Sequence, residues 1–428
     1  MTNIESFAKL GIGKEILAVL EEKGFEVPTE IQKKAIPIAL QGKDIIGGSA
    51  TGSGKTLAFG ASILEKTEKG KGIQTLILTP TRELAEQVAC SLSIFSKHKP
   101  LKITPIYGGM ALFPQFQALK KTDIVIGTPG RILDHLSRKT IDLSKVKYLV
   151  LDEADRMLDM GFLPDVERII KTCPKKRQTF LFSATISGGV LHIAKRHMNH
   201  PLEISVESKV DPSKLEQIYY DVPSNEKFSL LVHLLKKEKS GLVMVFSNTK
   251  RNADFLSNNL NKNKINAMAL HGDLSQNKRK SILEQFHKSE SLVLVCTDIA
   301  ARGLDIKNVS HVYNYDSPKD STDYIHRIGR TARAGEEGKA ITLISSQDYK
   351  SFQNVNADPS IKIKNQETPK FEILHLSIEP RRRFSNRPFR RGNSNSRDRR
   401  NSNSGDRRSP RSNSRNSSRS NSYSRNRR

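Results

Sequence analysis

Asp44-Ile45-Ile46-Gly47-Gly48-Ser49-Ala50-Thr51-Gly52-Ser53-Gly54-Lys55-Thr56 opens the reading, and a helical pattern follows it. The order is strand, glycine loop, helix. Residues Asp44–Gly47 form a short apolar run that reads as a strand. Bare glycine peptides let backbone N–H groups wrap around phosphate oxygens, and the start of the following helix adds positive potential. Lys55 reaches the β/γ-phosphates, and the Thr56 hydroxyl is suited to Mg²⁺. Thr51, Gly52, Ser53, Gly54, Lys55 and Thr56 are therefore expected to bind a nucleoside triphosphate. Ser49 stands where this loop usually begins with Gly or Ala, a small departure.

Working outward, similar apolar runs recur along the 428 residues. They are Thr75–Thr79, Ile103–Tyr107, Asp123–Ile126, Tyr148–Leu151 and Thr179–Phe182, then Leu242–Phe246, Ala267–Leu270, Leu292–Cys296, His311–Tyr315 and Ala340–Ile344. Each is nearly continuous in apolar character, as in strands of a parallel sheet covered on both faces. Helical patterns separate them. The expectation is an α/β protein with two doubly wound parallel-sheet domains. The pattern breaks near Pro201 and Pro212. The expected division is a first domain over 1–203, a linker over 204–213, a second domain over 214–350, a transition over 351–379 and a tail over 380–428.

The tail holds 17 Arg, 13 Ser and 9 Asn with two Asp, so it carries +15 of the formal net charge of +26. It has too little apolar surface to offset the entropy of ordering and is expected to be disordered. Such a run should attract a polyanion, nucleic acid being the obvious one, without sequence preference. A passive solubility segment is the other reading. Cys90, Cys173 and Cys296 are scattered and form no CxxC pair, so a reducing compartment fits best. No apolar run is long enough to span a bilayer, and residues 1–10 lack a secretory pattern. A soluble, cytoplasmic protein is expected.

The run Tyr148–Leu151 ends in Asp152-Glu153-Ala154-Asp155. Carboxylates at the carboxyl end of a parallel strand point into the ligand crevice. Asp152 can hold hydrated Mg²⁺, and Glu153 can orient and deprotonate an attacking water. An acidic helix start is the alternative, since acids favour that position. Arg327 and Arg330 lie three apart on an expected helix and so would share a face. Two guanidiniums suit the charge on a transferring phosphoryl group. A solvated basic face is the bland reading.

Asp-Glu-Ala-Asp is the name-giving motif of the DEAD-box helicases of superfamily two, and this chain resembles them from about Phe7 to Ile344. Pro80-Thr81-Arg82-Glu83-Leu84-Ala85, Gly108-Gly109, Thr128-Pro129-Gly130-Arg131 and Ser183-Ala184-Thr185 resemble the family's motifs in order. So do Val245-Phe246-Ser247-Asn248-Thr249, His271-Gly272-Asp273 with Gln276 and Arg279, the stretch Thr297–Asp305, and the stretch His326–Arg333. The resemblance implies two RecA-like domains and RNA-dependent ATP hydrolysis that drives local duplex unwinding. ATP and Mg²⁺ are the implied cofactors, and RNA the implied partner. It implies that Phe25 packs on adenine and Gln32 reads its edge, with Phe7 at the expected upstream position. Thr29-x-x-Gln32 is also a helix capping box, so that structural account stays open. Ser183 and Thr185 are implied to couple ATP to RNA, and Gly303 and Asp305 to touch the nucleotide from the second domain. Thr81, Arg82, Gly109, Thr128, Arg131 and Thr297 are implied RNA contacts of backbone-binding type, with little base readout. Gly108-Gly109 could be only a turn. The compact core looks prokaryotic. A DNA translocase and an ATP-gated RNA clamp are the competing functions. ATPase stimulation by RNA against DNA separates the first, and strand displacement at limiting enzyme the second.

Overall fold

The computed structural model describes residues 4–48, 53–206, 215–238, 241–289, 292–301, 306, 309–332 and 337–374. Thr51, Gly52, Gly303, Asp305, most of the linker and the whole 380–428 tail lie outside the described residues.

Fourteen strands form two sheets among the described residues. The first sheet holds β1 (Ile45–Gly48), β2 (Thr75–Leu78), β3 (Ile103–Ile106), β4 (Ile124–Gly127), β5 (Tyr148–Asp152), β6 (Gln178–Ser183) and β7 (Leu202–Ser205). The second holds β8 (Leu215–Asp221), β9 (Leu242–Phe246), β10 (Ala267–Leu270), β11 (Leu292–Cys296), β12 (Val309–Asn314), β13 (Gly338–Ile344) and β14 (Lys364–Asn365). The orders are β3-β4-β2-β5-β6-β1-β7 and β10-β11-β9-β12-β13-β8-β14. Every strand pair is parallel. The second order is the first with seven added to each strand, so one plan is used twice. Ile77, Val150 and Phe180 face one layer of core, and Leu76, Leu149 and Leu181 the other. Period-two alternation between two apolar layers explains why these strands read as continuous apolar runs.

β7, β8 and β14 were not expected from the sequence. β8, Leu-Glu-Gln-Ile-Tyr-Tyr-Asp, alternates between buried and exposed residues. β7 buries only Ile204, and β14 has two exposed residues. A search for continuous apolarity passes over such strands. β7 pairs with β1 through Gly47↔Ile204 and Gly48↔Ser205, so the first sheet runs two residues past position 203. Residues of the 351–379 stretch pack on the second domain. Gln366 N donates to the Tyr219 carbonyl at 3.0 Å, and Phe371 and Leu374 lie against its core.

The two halves differ where the helix after the first strand begins. Lys55 opens the helix Lys55–Lys66 after β1, and Lys227 opens the helix Lys227–Lys237 after β8. Lys227 is buried and its Nζ lies 2.9 Å from the Asp348 carboxylate. That carboxylate also accepts from Ser345 N, Ser345 Oγ and Ser317 N.

Candidate active site

The carboxyl edge of the first sheet divides in two along its strand order. β5, β6 and β1 end in Asp152, Ser183 and the glycine loop. β3, β4 and β2 end beside Gly108-Gly109, Thr128 and Thr81. The two groups of expected site residues thus occupy adjacent halves of one edge.

In the first group, Gly54 precedes the helix at φ +89°, and a Cβ there would lie 2.4 Å from Gln32 Nε2. Only glycine fits this left-handed, crowded position. Thr29 Oγ1 donates to the Ser53 carbonyl at 2.8 Å, and Gln32 Nε2 to the Gly54 carbonyl at 3.1 Å. Gln32 Oε1 accepts from Thr29 N at 3.0 Å, so the capping bond is made and the same amide braces the loop. One amide donor and one lone pair of Gln32 remain beyond these two bonds. Phe25 is 40% exposed and packs edge-on against Phe95, with centroids 6.0 Å apart. Phe7 is fully buried on the helix Ile4–Ala8. Thr56 is half-buried, next to Lys55.

Lys55 Nζ lies 3.9 Å from Asp152 Oδ1, and both side chains are buried. Burial pushes the Asp152 carboxyl up to about 6, against the pull of Lys55. Glu153 sits at φ +52°, ψ +54°, a left-handed turn that swings its side chain away from the strand direction. A non-glycine residue held there is strained, which is common at functional sites. Glu153 pairs with Arg156, three residues on, and both are buried. Burial would raise the Glu153 carboxyl. The charges of Arg156 and Lys55, the Arg156 hydrogen bond and the field of Arg330 outweigh that and hold it well below the usual carboxylate range. Arg156 Nε and Nη2 have no hydrogen-bond partner among the described residues. Asp155 Oδ2 accepts from Ala184 N at 3.1 Å, Thr185 N at 2.8 Å and Thr185 Oγ1 at 3.0 Å. Ser183 Oγ accepts from Asp155 N at 3.1 Å and donates to the Thr185 carbonyl. Ser183 and Thr185 are thereby tied to the acidic turn.

Arg327 and Arg330 do not share a helix face. The helix Ser321–Ile328 ends before Arg330, with Gly329 at its C-cap. Arg327 is 1% exposed and committed inside its own domain. It donates to both Asp298 oxygens at 2.6 and 2.7 Å, to Asn248 Oδ1 at 2.9 Å and to the Asp316 carbonyl at 2.6 Å. Arg330 is the one whose charge reaches Glu153. A second link joins the halves: Arg279 Nε lies 2.7 Å from Glu83 Oε1, with both side chains 8% exposed.

In the second group, Thr81 caps the helix Arg82–Phe95 through Leu84 N at 3.3 Å. Gly109 has φ +83°, and a Cβ there would lie 2.3 Å from Arg82 Nη1, so the Arg82 guanidinium lies flat on this peptide. Gly108-Gly109 is thus a turn and also a seat for Arg82. Arg131 Nη1 donates to the Met110 carbonyl at 3.0 Å. Thr128 opens the helix Pro129–Ser137 and is half-buried. Thr297 follows β11 in the other sheet. Arg82, Gly109 and Arg131 are therefore one cluster, with Thr81 and Thr128 at neighbouring strand ends.

The sequence reading missed Arg156 and the Glu83–Arg279 pair. Glu153-x-x-Arg156 carries the spacing of a same-face ion pair, so that signal was present. Glu83 and Arg279 are far apart in sequence, and only the fold joins them.

The DEAD/DEAH box helicase family matches residues 29–193, and the helicase conserved C-terminal domain matches residues 226–335. The chain belongs to the DEAD-box helicases. It is similar to the DEAD-box ATP-dependent RNA helicase CshA of Bacillus cereus, 46% identical over 367 residues, covering 85% of this chain and 70% of that protein. The Bacillus subtilis protein of the same name is 42% identical over 85% of this chain and 74% of its own length. Among solved structures, S. cerevisiae Dbp5 bound to RNA and ADP BeF3 is 33% identical with a TM-score of 0.77, covering 85% of this chain and 96% of that one. A DEAD box protein from Methanococcus jannaschii is 43% identical with a TM-score of 0.51, covering 84% and 99%. The two matched domains of this DEAD-box protein correspond to its two RecA-like sheets.

Proposed function

We propose that this chain hydrolyses ATP on binding RNA and uses closure of its two domains to separate short RNA duplexes. The observation that carries this reading is the buried ion pair between the halves, Arg279 Nε 2.7 Å from Glu83 Oε1. The charge of Arg330, from the second domain, also bears on Glu153, next in sequence to the Asp152 that faces Lys55. A site completed by two domains turns over only when they close, and RNA bound across both would favour closure. The relatives named CshA and the RNA-bound Dbp5 structure point the same way.

In this reading the glycine loop and Lys55 hold the β/γ-phosphates, and Glu153 orients and deprotonates water. Arg330 meets the charge of the transferring phosphoryl group. Arg327 serves as a brace for the strand ends of the second domain. Gln32 and Phe25 hold adenine. Arg82, Gly109, Thr128, Arg131, Thr81 and Thr297 track the RNA backbone. A buried carboxylate pushed up to about 6 is a group in need of a cation, which suits Mg²⁺ on Asp152 and Thr56. Among the described residues no group of three or more His, Cys, Asp or Glu is arranged to hold a metal. Mg²⁺ here would take its other ligands from water and phosphate. Once bound it would neutralise charge on the phosphate oxygens. The setting in this reading is the cytoplasm.

Steady-state ATPase with single-stranded RNA, DNA and no nucleic acid is the test, beside strand displacement at limiting enzyme. RNA-selective stimulation with displacement is the expected result. Equal stimulation by DNA, or stimulation without displacement, would replace this reading by a translocase or a clamp.

A further inference from the structure

We infer that Phe113 and Met110 form a stacking platform for an unpaired base of the bound RNA, beside the Arg82–Gly109–Arg131 cluster. This inference rests on the proposed RNA path and names a subsite along it.

Phe113 is the most exposed large apolar side chain among the described residues, at 69%, and Met110 is 46% exposed. The helix that carries Phe113, Leu112–Leu119, is held by its opposite face. There Gln115 Nε2 donates to the Tyr107 carbonyl at 3.1 Å, Gln115 Oε1 lies 3.3 Å from His135 Nε2, and Leu119 is buried. Phe113, Phe116 and Lys120 follow at steps of three and four, so they share the outward face. Lys120 Nζ lies 4.6 Å from the Phe116 ring centroid. The main chain at the other end is fixed too. The Met110 carbonyl accepts from Arg131, and the preceding residue is Gly109 with Arg82 against it. An apolar pair on a fixed support thus adjoins two guanidiniums.

Charge and size select the occupant. Arg82 lies against Gly109, Arg131 against the Met110 carbonyl, and Lys120 over Phe116 on the face that carries Phe113. The nearest acid joined to this cluster, Asp134, is shared between Arg131 and Arg138. A cationic rim around a ring and a thioether fits a phosphodiester with its base turned inward. Two side chains offer the area of a base, far below the ~800 Å² per partner that a stable protein interface buries. Backbone contact alone would leave Phe113 in water. With a base on its face, a chain read as backbone-binding gains one sequence-tolerant grip on unpaired strand.

The chain contains no Trp, so Phe113→Trp introduces a single indole reporter. RNA binding is followed separately by anisotropy of end-labelled single strands, with a non-hydrolysable ATP analogue present. RNA is expected to quench the indole, and an abasic strand of equal length to bind with no quench. Phe113→Ala is expected to weaken binding of the base-bearing strand by about tenfold, while leaving the abasic strand unchanged. Phe113→Leu should behave like Phe113→Ala if the ring face matters. Normal anisotropy with no quench, or equal quench by the abasic strand, overturns the platform and leaves the RNA path standing. Absence of RNA binding in the parent protein as well overturns both.

Discussion

Removing the Glu83 carboxylate should weaken RNA-dependent turnover through the closed state alone. The pair with Arg279 is short and buried, and Arg279 is held in place by the carbonyls of His271 at 3.1 Å and Ala300 at 3.4 Å. With the domains apart, Glu83 would face water and Arg279 would keep its two carbonyls, with water free to reach Nε. With the domains closed, Glu83→Ala strands the Arg279 guanidinium out of water. Breaking a buried pair from one side costs about 3–5 kcal/mol. At ~1.4 kcal/mol per tenfold, closure should become roughly 10²- to 4 × 10³-fold less favourable. Part of that is relieved if water enters the gap, so a tenfold loss is the lower expectation. ATPase against RNA concentration is the assay. Half-saturation should rise, and the maximal rate should fall at attainable RNA. The melting temperature should hold, because Glu83 sits on the first turn of its helix and packs on no core. The double variant Glu83→Ala/Arg279→Ala strands no charge and should recover part of the loss. Parental RNA stimulation in Glu83→Ala would refute the reasoning, as would simple additivity in the double variant.

Glu153→Gln should keep ATP and RNA binding and slow hydrolysis by at least about 10²-fold, since an amide accepts no proton. Single-turnover hydrolysis with RNA release checks it, and release as fast as in the parent would remove Glu153 as base. Gln32→Ala should raise KM for ATP and narrow the preference for ATP over GTP, while the lost capping bond lowers stability by ~1 kcal/mol. A lower melting temperature with unchanged nucleotide preference would leave only the cap. Arg330→Ala should lower kcat with little change in ATP affinity or melting temperature. Arg327→Ala should instead destabilise the second domain by about 3–5 kcal/mol, because Asp298 loses its buried partner; equal melting temperatures for the two variants would contradict this division. Deleting 380–428 should leave kcat at saturating RNA intact and flatten the salt dependence of RNA affinity, and equal slopes with and without the tail would end its role as a tether.

The sequence made the centre of each sheet legible and the edges obscure. β9, β10 and β11 fall on the expected residues because strands covered on both faces leave a continuous apolar trace. β8 alternates and β14 is two residues long, so neither leaves one. The left-handed Gly54 before its helix and the acidic turn after β5 fall where the sequence placed a loop and a strand end, because each position admits few residue types. The arginine pair was misread through geometry. Gly329 is a helix-stop residue between Arg327 and Arg330, and the spacing rule does not cross a helix end. Arg327 looked like a free cation because its partners, Asn248, Asp298 and Asp316, come from three other segments.

The Lys227–Asp348 pair bears on how the two halves have diverged. Two halves built on one plan each begin the helix after their first strand with a buried lysine, and each lysine faces a carboxylate: Lys55 lies 3.9 Å from Asp152, Lys227 2.9 Å from Asp348. In the second half, the pair is the shorter one, and three donors from Ser345 and Ser317 complete the shell of Asp348. The same residue type at the same place in the plan thus serves as internal structure in the second half.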